Sequence, residues 1–203
     1  MTSTVLTADM LRHRHPISGF TLIEVLVTLV IIAIGLLGLG AFQARVQQAE
    51  LEAYNRAQAL VILNAMVNRI NVNRLTAPCY AITTGTGTPY LGIAGMDPTT
   101  ITCSGFGDVN TQARAIADLN EWDTMLKGAT EAVGATATGG ALGARGCISY
   151  SGAGTAIASY TVAVAWQGMT ETVVPTVDCG NNAYGTETRR RVVWTTVKIA
   201  ILL

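Results

Sequence analysis

Histidine is almost absent. The chain has two, His13 and His15, in 203 residues. Charge is scarce as well: 13% of residues are Asp, Glu, Lys or Arg, and 13 basic residues balance 13 acidic ones. That balance argues against a general binder of nucleic acid or other polyanions, which needs a basic surface. What the chain has in excess is apolar side chain, at 50% hydrophobic residues and a mean hydropathy of +0.39. This is too apolar for a disordered chain and unusually apolar for a fully soluble one. The length suits one domain, or one domain plus an extension.

Residues 1–19, MTSTVLTADMLRHRHPISG, are polar, with Arg12, Arg14 and both histidines close together and one acid, Asp9. From Phe20 to Phe42 the chain reads FTLIEVLVTLVIIAIGLLGLGAF, with Glu24 as its only charge. As a helix this run spans roughly 35 Å at 1.5 Å per residue, enough to cross a bilayer core. The arginines before it keep the amino terminus cytoplasmic and send the rest outward. An ordinary cleaved signal peptide has a shorter apolar region ended by a small-x-small site; here the run is longer and no Ala-x-Ala follows. A plain uncleaved anchor accommodates the length but leaves Glu24 unexplained. A carboxylate in hydrocarbon costs roughly 2.5–3.5 kcal/mol on insertion scales and so asks for a function and a partner.

Gly19-Phe20-Thr21-Leu22-Ile23-Glu24 resembles the processing site of type IV prepilins: a short basic leader, Gly, Phe, then an apolar helix with Glu at the fifth mature position. The resemblance implies that a prepilin peptidase cuts between Gly19 and Phe20 on the cytoplasmic side and methylates the new amino group of Phe20. It also supplies Glu24 with a partner. Cleavage creates a positive α-amine (ordinary pKa about 7.7–8.0) at the head of an apolar helix, and the Glu24 of a neighbouring subunit neutralises it when subunits stack. Such a pair sets axial register more than it adds stability, because desolvation cancels much of the gain. The processed chain keeps neither histidine, which leaves none for Ser-His-Asp or Cys-His catalysis or for a His-ligated metal site. Carboxylate chemistry stays open. Gly35, Gly38 and Gly40 read either as small-residue helix packing or as local helix weakness, each costing about 0.8–1.0 kcal/mol relative to Ala.

Residues 43–75 contain no Gly or Pro. Val46, Ala49, Ala53, Ala57, Leu60, Leu63, Val67 and Ile70 recur at steps of three and four and predict one helical face. Arg45, Gln48, Glu52, Asn55, Arg56 and Arg69 fall largely elsewhere. Pro78 ends the helical pattern. Residues 79–111 read as loop with one or two short strands, and their Gly-Thr run lacks the Gly-Lys-Ser/Thr ending of a phosphate loop. Residues 112–127 predict a short helix, with Asp118 and Glu121 spaced as a capping box and Trp122, Met125 and Leu126 as its apolar face; Trp122 reads as core. The small, glycine-rich residues 128–143 read as a mobile connection. In Ser159–Gly168, Tyr160, Val162, Val164 and Trp166 alternate with smaller or polar residues, the period of a strand. Cys147–Tyr150 and Val192–Leu203 read as further strands, and Thr172–Val177 as an edge strand because of Pro175. The sum is an antiparallel sheet packed on the second half of a long helix, an α+β fold.

Cys79, Cys103, Cys147 and Cys179 all lie in the exported part, and none is close enough in sequence to another for a zinc knuckle or a Cys-x-x-Cys site. An even count outside the cytoplasm favours two disulfides. Four cysteines permit three pairings and the sequence does not choose among them; Cys79–Cys103 closing the first loop and Cys147–Cys179 tying two strands is the expectation. Arg189, Arg190 and Arg191 form the one concentrated charge. They read as a solvated strand entry that blocks edge pairing, with contact to a neighbouring subunit, DNA or lipid as the alternatives.

Further motifs narrow the resemblance. Gly143-Ala144-Arg145-Gly146-Cys147-Ile148, Val164-Ala165-Trp166-Gln167-Gly168, Cys179-Gly180 followed by Tyr184-Gly185 and Glu187 to Arg190, and Gly35-Leu36-Leu37-Gly38-Leu39 resemble PilV-type minor pilins. The fold implied is type IV pilin-like. It has a cleaved leader (1–19), a transmembrane and filament-core helix (20–42), the amphipathic half of that helix (43–75) and a disulfide-linked head (76–203). The function implied is that of a low-abundance type IV pilus subunit. Such a subunit joins other minor pilins and the major pilin, primes assembly, sits in the tip complex and is associated with a large adhesin. It starts as a single-pass inner-membrane protein with a cytoplasmic amino terminus and ends in the pilus at the cell surface. No enzymatic activity, cofactor or nucleic-acid partner is expected. A minor pseudopilin of a type II secretion system shares the whole amino-terminal logic. A DNA-uptake pilin fits the near-zero charge poorly. A membrane-anchored periplasmic enzyme would need a catalytic constellation that the motifs do not supply.

Overall fold

A computed structural model of the protein describes residues 19–129, 132–133, 136–137, 139–152 and 157–200. The expected leader up to residue 18, with both histidines, lies outside the described residues, as do 201–203 and parts of the glycine-rich connection 128–143. Two compact units divide the chain between Arg45 and Val46.

Helix α1 runs Leu22–Val72. In the second unit it buries Asn55, Ala59, Ile62, Leu63, Met66 and Ile70, a stripe at helical spacing. This is not the expected face. Ala49, Ala53, Ala57 and Leu60 are exposed, and only Leu63 and Ile70 of the expected set are buried. Small and apolar residues occur on several sides of this segment, so periodicity alone did not select the stripe. Asn55, expected outside it, is tolerated within because its Oδ1 accepts the backbone N–H of Leu142 at 3.0 Å, and a satisfied buried amide costs little.

Pro78 does not stop the helix. The helix ends at Val72, and Asn73 leaves helical geometry at φ −108°, ψ 50°. The Asn73 amide donates to the Tyr80 hydroxyl and to the carbonyl of Thr111. Pro78 then sits within a 3₁₀ stretch, Arg74–Tyr80.

The remaining elements are β1 (Leu91–Gly92), α2 (Val109–Leu126), a small hairpin of β2 (Ala132–Val133) and β3 (Thr136–Ala137), then β4 (Arg145–Ser151), β5 (Ile157–Gln167) and β6 (Arg190–Ala200). Helix α2 begins three residues before the expected start. Its capping box is Asp108 with Thr111: the Asp108 carboxylate accepts the N–H groups of Asn110 and Thr111, and the Thr111 hydroxyl accepts the Asp108 N–H. Asp118 is not a cap. It lies mid-helix, 2% exposed, and accepts the Tyr80 hydroxyl at 2.6 Å and the Arg69 and Arg114 guanidinium groups at 3.0 Å. Glu121 pairs with Arg69.

β1, β4, β5 and β6 form one antiparallel sheet in that order. On the helix side Tyr160, Val162, Val164 and Trp166 pack with Ile62, Met66, Leu119 and Trp122 in the main core, the face that the strand alternation predicts. The other side is covered too. Ala163 and Ala165 lie beneath Cys147, Cys179 and Tyr184 in a second cluster, because their methyl groups leave room for a loop to lie on the sheet. The Cys147–Cys179 disulfide ties that loop down, and Cys79–Cys103 closes the first one.

Thr172–Val177 is not a strand. Thr172 donates one backbone bond to Thr188. Its neighbours are held instead by Arg190, whose guanidinium donates to the carbonyls of Pro175, Val177 and Cys179 and to Glu187. The arginine run is therefore no solvated strand entry. Arg190 is 1% exposed, Arg191 pairs with Glu52 of α1 at 2.9 Å, and Arg189 stands 3.9 Å from Glu171 at the surface. A buried guanidinium has five donors and needs carbonyls to receive them, which the loop supplies.

Candidate functional site

The first unit carries the segment on which the sequence reading rests. Gly19, Phe20 and Thr21 precede the helix, and Phe20 is 84% exposed. A Cβ added at Gly19 would meet no atom within 4 Å. The fold itself therefore makes no demand for glycine there. The same holds at Gly35, Gly38 and Gly40.

Thr21 opens α1. Its hydroxyl oxygen accepts the backbone N–H of Glu24 at 3.3 Å, satisfying one of the unpaired donors of the first turn. Glu24 then sits in that first turn, where the helix dipole favours a negative side chain. Thr21 and Glu24 have the Thr-x-x-Glu spacing of a capping box, a local signal in the sequence for where the helix starts. Glu24 thus stands in the first turn, at the end of the helix that also bears the Gly19–Phe20 junction.

From Val25 to Phe42 the helix carries no charge and its apolar side chains are exposed, Leu37 by 76%. An apolar surface of this kind needs lipid or other protein chains around it. By length and composition α1 is able to cross a membrane.

In the second unit, several charged and polar groups are met by partners, while Arg145 Nε, Trp166 Nε1 and Asn181 Oδ1 are buried without a hydrogen bond. Tyr80 is raised above its ordinary value by burial and by its hydrogen bond to Asp118. Glu121 is held below the usual carboxylate range by the hydrogen bond and charge of Arg69. Asp123 accepts the N–H of Gly92 at 2.8 Å and pairs with Lys127. Arg145 lies between the rings of Tyr90 and Tyr184, 5.4 and 4.4 Å from their centroids, and burial pushes the Tyr184 hydroxyl up to about 12. Each of these arrangements ties one element to another. Cys79, Cys103, Cys147 and Cys179 are all in disulfides, and among the described residues no group of three or more His, Cys, Asp and Glu is placed to hold a metal ion.

Residues 14–40 match the family described as the prokaryotic N-terminal methylation motif. The matched stretch contains Gly19, Phe20 and Glu24 and supports a place in the type IV pilin superfamily. Comparison with curated proteins gives no match, and neither does comparison with solved structures.

Proposed function

We propose that the chain is a minor pilin of the type IV pilus, of the PilV type. Prepilin peptidase processes it at Gly19–Phe20 and methylates Phe20, and it takes part in priming pilus assembly and in the tip complex. The observation that carries the reading is the placement of Glu24. A carboxylate stands in the first turn of an exposed apolar helix, five residues beyond Gly19 and within the stretch that matches the methylation motif. Once Phe20 is freed, a second processed helix alongside brings its amine to this carboxylate and removes two uncompensated charges from the membrane region. The pair fixes how far one subunit is displaced along another.

The precursor waits as a single-pass protein of the inner membrane and reaches the surface within the pilus. Other minor pilins, the major pilin and a tip adhesin are its partners in this reading. The head contributes shape and surface to the choice of neighbour, and no catalytic step or cofactor is assigned to it. Two measurements test the proposal together. Mass spectrometry of the exported chain should find a start at methylated Phe20; an intact Met1 start removes the reading altogether. Deletion of the gene should reduce surface pili and leave secreted enzymes unchanged. The converse result would make the chain a pseudopilin of a secretion system.

A further inference from the structure

The sheet ends in an open edge. In β5 and β6, Gln167 stands opposite Arg190, and the flanking bond runs from Gly168 N–H to the Arg189 carbonyl at 2.7 Å. That makes Gln167–Arg190 a non-hydrogen-bonded pair. The Gln167 N–H accordingly turns away from β6, to the carbonyl of Leu142, and the Arg190 N–H turns away from β5, to the carbonyl of Glu187. Parity then fixes the rest of β6. The backbone groups of Arg191, Val193, Thr195, Val197 and Ile199 face β5. Those of Val192, Trp194, Thr196, Lys198 and Ala200 face outward, and no strand pairs with them among the described residues.

The opposite edge of the sheet is partly covered. β1 pairs with the start of β4, and Thr83 bridges to Ser149. Beyond Gly168, the loop that leaves β5 makes one backbone bond to the line of β6, from Thr172 to Thr188, and its other contacts there are with the side chains of Arg189, Arg190 and Arg191. From Val192 onward β6 has no Pro, no Gly and no bulge, and every residue pairs one to one with β5. Proteins normally blunt such an edge with prolines, bulges, short strands or several charges. Here one charge, Lys198, is present, and Trp194, four residues before it on the same face, stands 54% exposed. A row of alternating free N–H and C=O groups selects for an extended backbone.

We propose that the outer edge of β6, from Val192 to Ala200, receives an extended strand of a different polypeptide. That strand places an apolar side chain against Trp194 and an acidic one near Lys198. Charge argues against a second copy of this chain. From Val192 to Ala200 the one charge is Lys198 and there is no acid, and Arg190 and Arg191 before it are already paired with Glu187 and Glu52, so a second β6 offers Lys198 no counter-ion. The inference does not depend on processing at Phe20 and stands or falls separately from the pilin reading.

The test places the photoreactive residue p-benzoylphenylalanine at Trp194, Thr196 or Lys198 of the full chain in producing cells and maps the crosslinks by mass spectrometry. An added strand predicts crosslinks into one segment of one other polypeptide, with the attachment point moving by two residues for each two-residue step along β6. Thr196→Pro removes an outward N–H and leaves the β5 ladder intact. With the probe at 194 or 198 it should lower the yield about tenfold, the effect of stranding one acceptor, whereas Thr196→Val should not. If Thr196→Pro fails to fold, Lys198→Glu with the probe at 194 replaces it and should lower the yield several-fold. The proposal is overturned by an absence of crosslinks, by crosslinks without that register, by crosslinks into a second copy of this chain, or by yields that neither Thr196→Pro nor Lys198→Glu changes.

Discussion

The indole N–H of Trp122 donates to the backbone carbonyl of Ile62 at 2.9 Å. The bond joins α2 to α1 across sixty positions of sequence, in a core that excludes water from both groups. Trp122 therefore fills volume and fixes the approach of one helix to the other. Trp122→Ala should destabilise the chain by about 3–5 kcal/mol, as large aromatic truncations do. Trp122→Phe should cost less, because it keeps much of the packing and loses the bond. Thermal unfolding followed by circular dichroism ranks the three; equal midpoints for wild type and Trp122→Ala would refute the assignment.

Gly146 of β4 lies under the same ring. A Cβ there would run into the Trp122 indole and stand 2.6 Å from Leu126 Cδ1. Gly146→Ala should cost about 1–3 kcal/mol through overpacking. Combined with Trp122→Ala, which opens the space, it should cost much less than the sum of the two. Additive losses in a double-mutant cycle would count against this contact.

The Cys147–Cys179 disulfide holds the outer loop on the small side chains of β5. Replacing both cysteines by serine should cost about 2–4 kcal/mol and expose the loop to limited proteolysis before the main core opens. Simultaneous cleavage of loop and core would show that the loop has no separate dependence on the bridge.

Asp108 gives a pH signature. The N–H groups of Thr111 and Asn110 hold its carboxyl below the ordinary value of 3.8. A carboxylate lowered in the folded state contributes fully above its unfolded value and loses that contribution as pH falls through the folded one. The stability difference between wild type and Asp108→Ala should therefore be present at neutral pH and shrink in strong acid. Urea unfolding at several pH values would reveal it, and a difference that grows toward low pH has the wrong sign.

In the proposed function Glu24 has two roles, which mutation separates. Thr21→Ala removes the cap on the first turn but keeps the charge, and should leave processing and incorporation into filaments close to normal. Glu24→Val should insert and be cut yet be poorly recovered in sheared filaments. Gly19→Val should leave an unprocessed precursor, detected on a gel by its larger size. Equal filament recovery for Thr21→Ala and Glu24→Val would reduce Glu24 to a helix-start residue.

Several of these features could be read along the chain and several could not. The apolar run from Phe20 to Phe42 and the alternation from Tyr160 to Trp166 declare themselves because each repeats within one element. The stripe on α1 was misread because Ala49, Ala53 and Ala57 satisfy helical spacing as well as Ala59 and Met66 do. Asp118 and Glu121 imitate a cap by spacing alone, while the residues that cap α2, Asp108 and Thr111, have the same spacing four residues upstream of the expected start. The arginine run looked like surface because charge in a row is normally solvated. Nothing nearby in sequence shows that Arg190 would find the carbonyls of Pro175, Val177 and Cys179.

The division follows the range of the interactions. Helix and strand periods, helix caps and an anchor's length are set by neighbours a few residues away, so a string of residue types is enough to locate them. Asn55 meeting Leu142, Glu52 meeting Arg191 and Trp122 meeting Ile62 involve partners 87, 139 and 60 positions apart. Those choices arise when the sheet closes on the helices, because only then does burial make an unpaired polar group costly and select which face of a two-faced helix is covered.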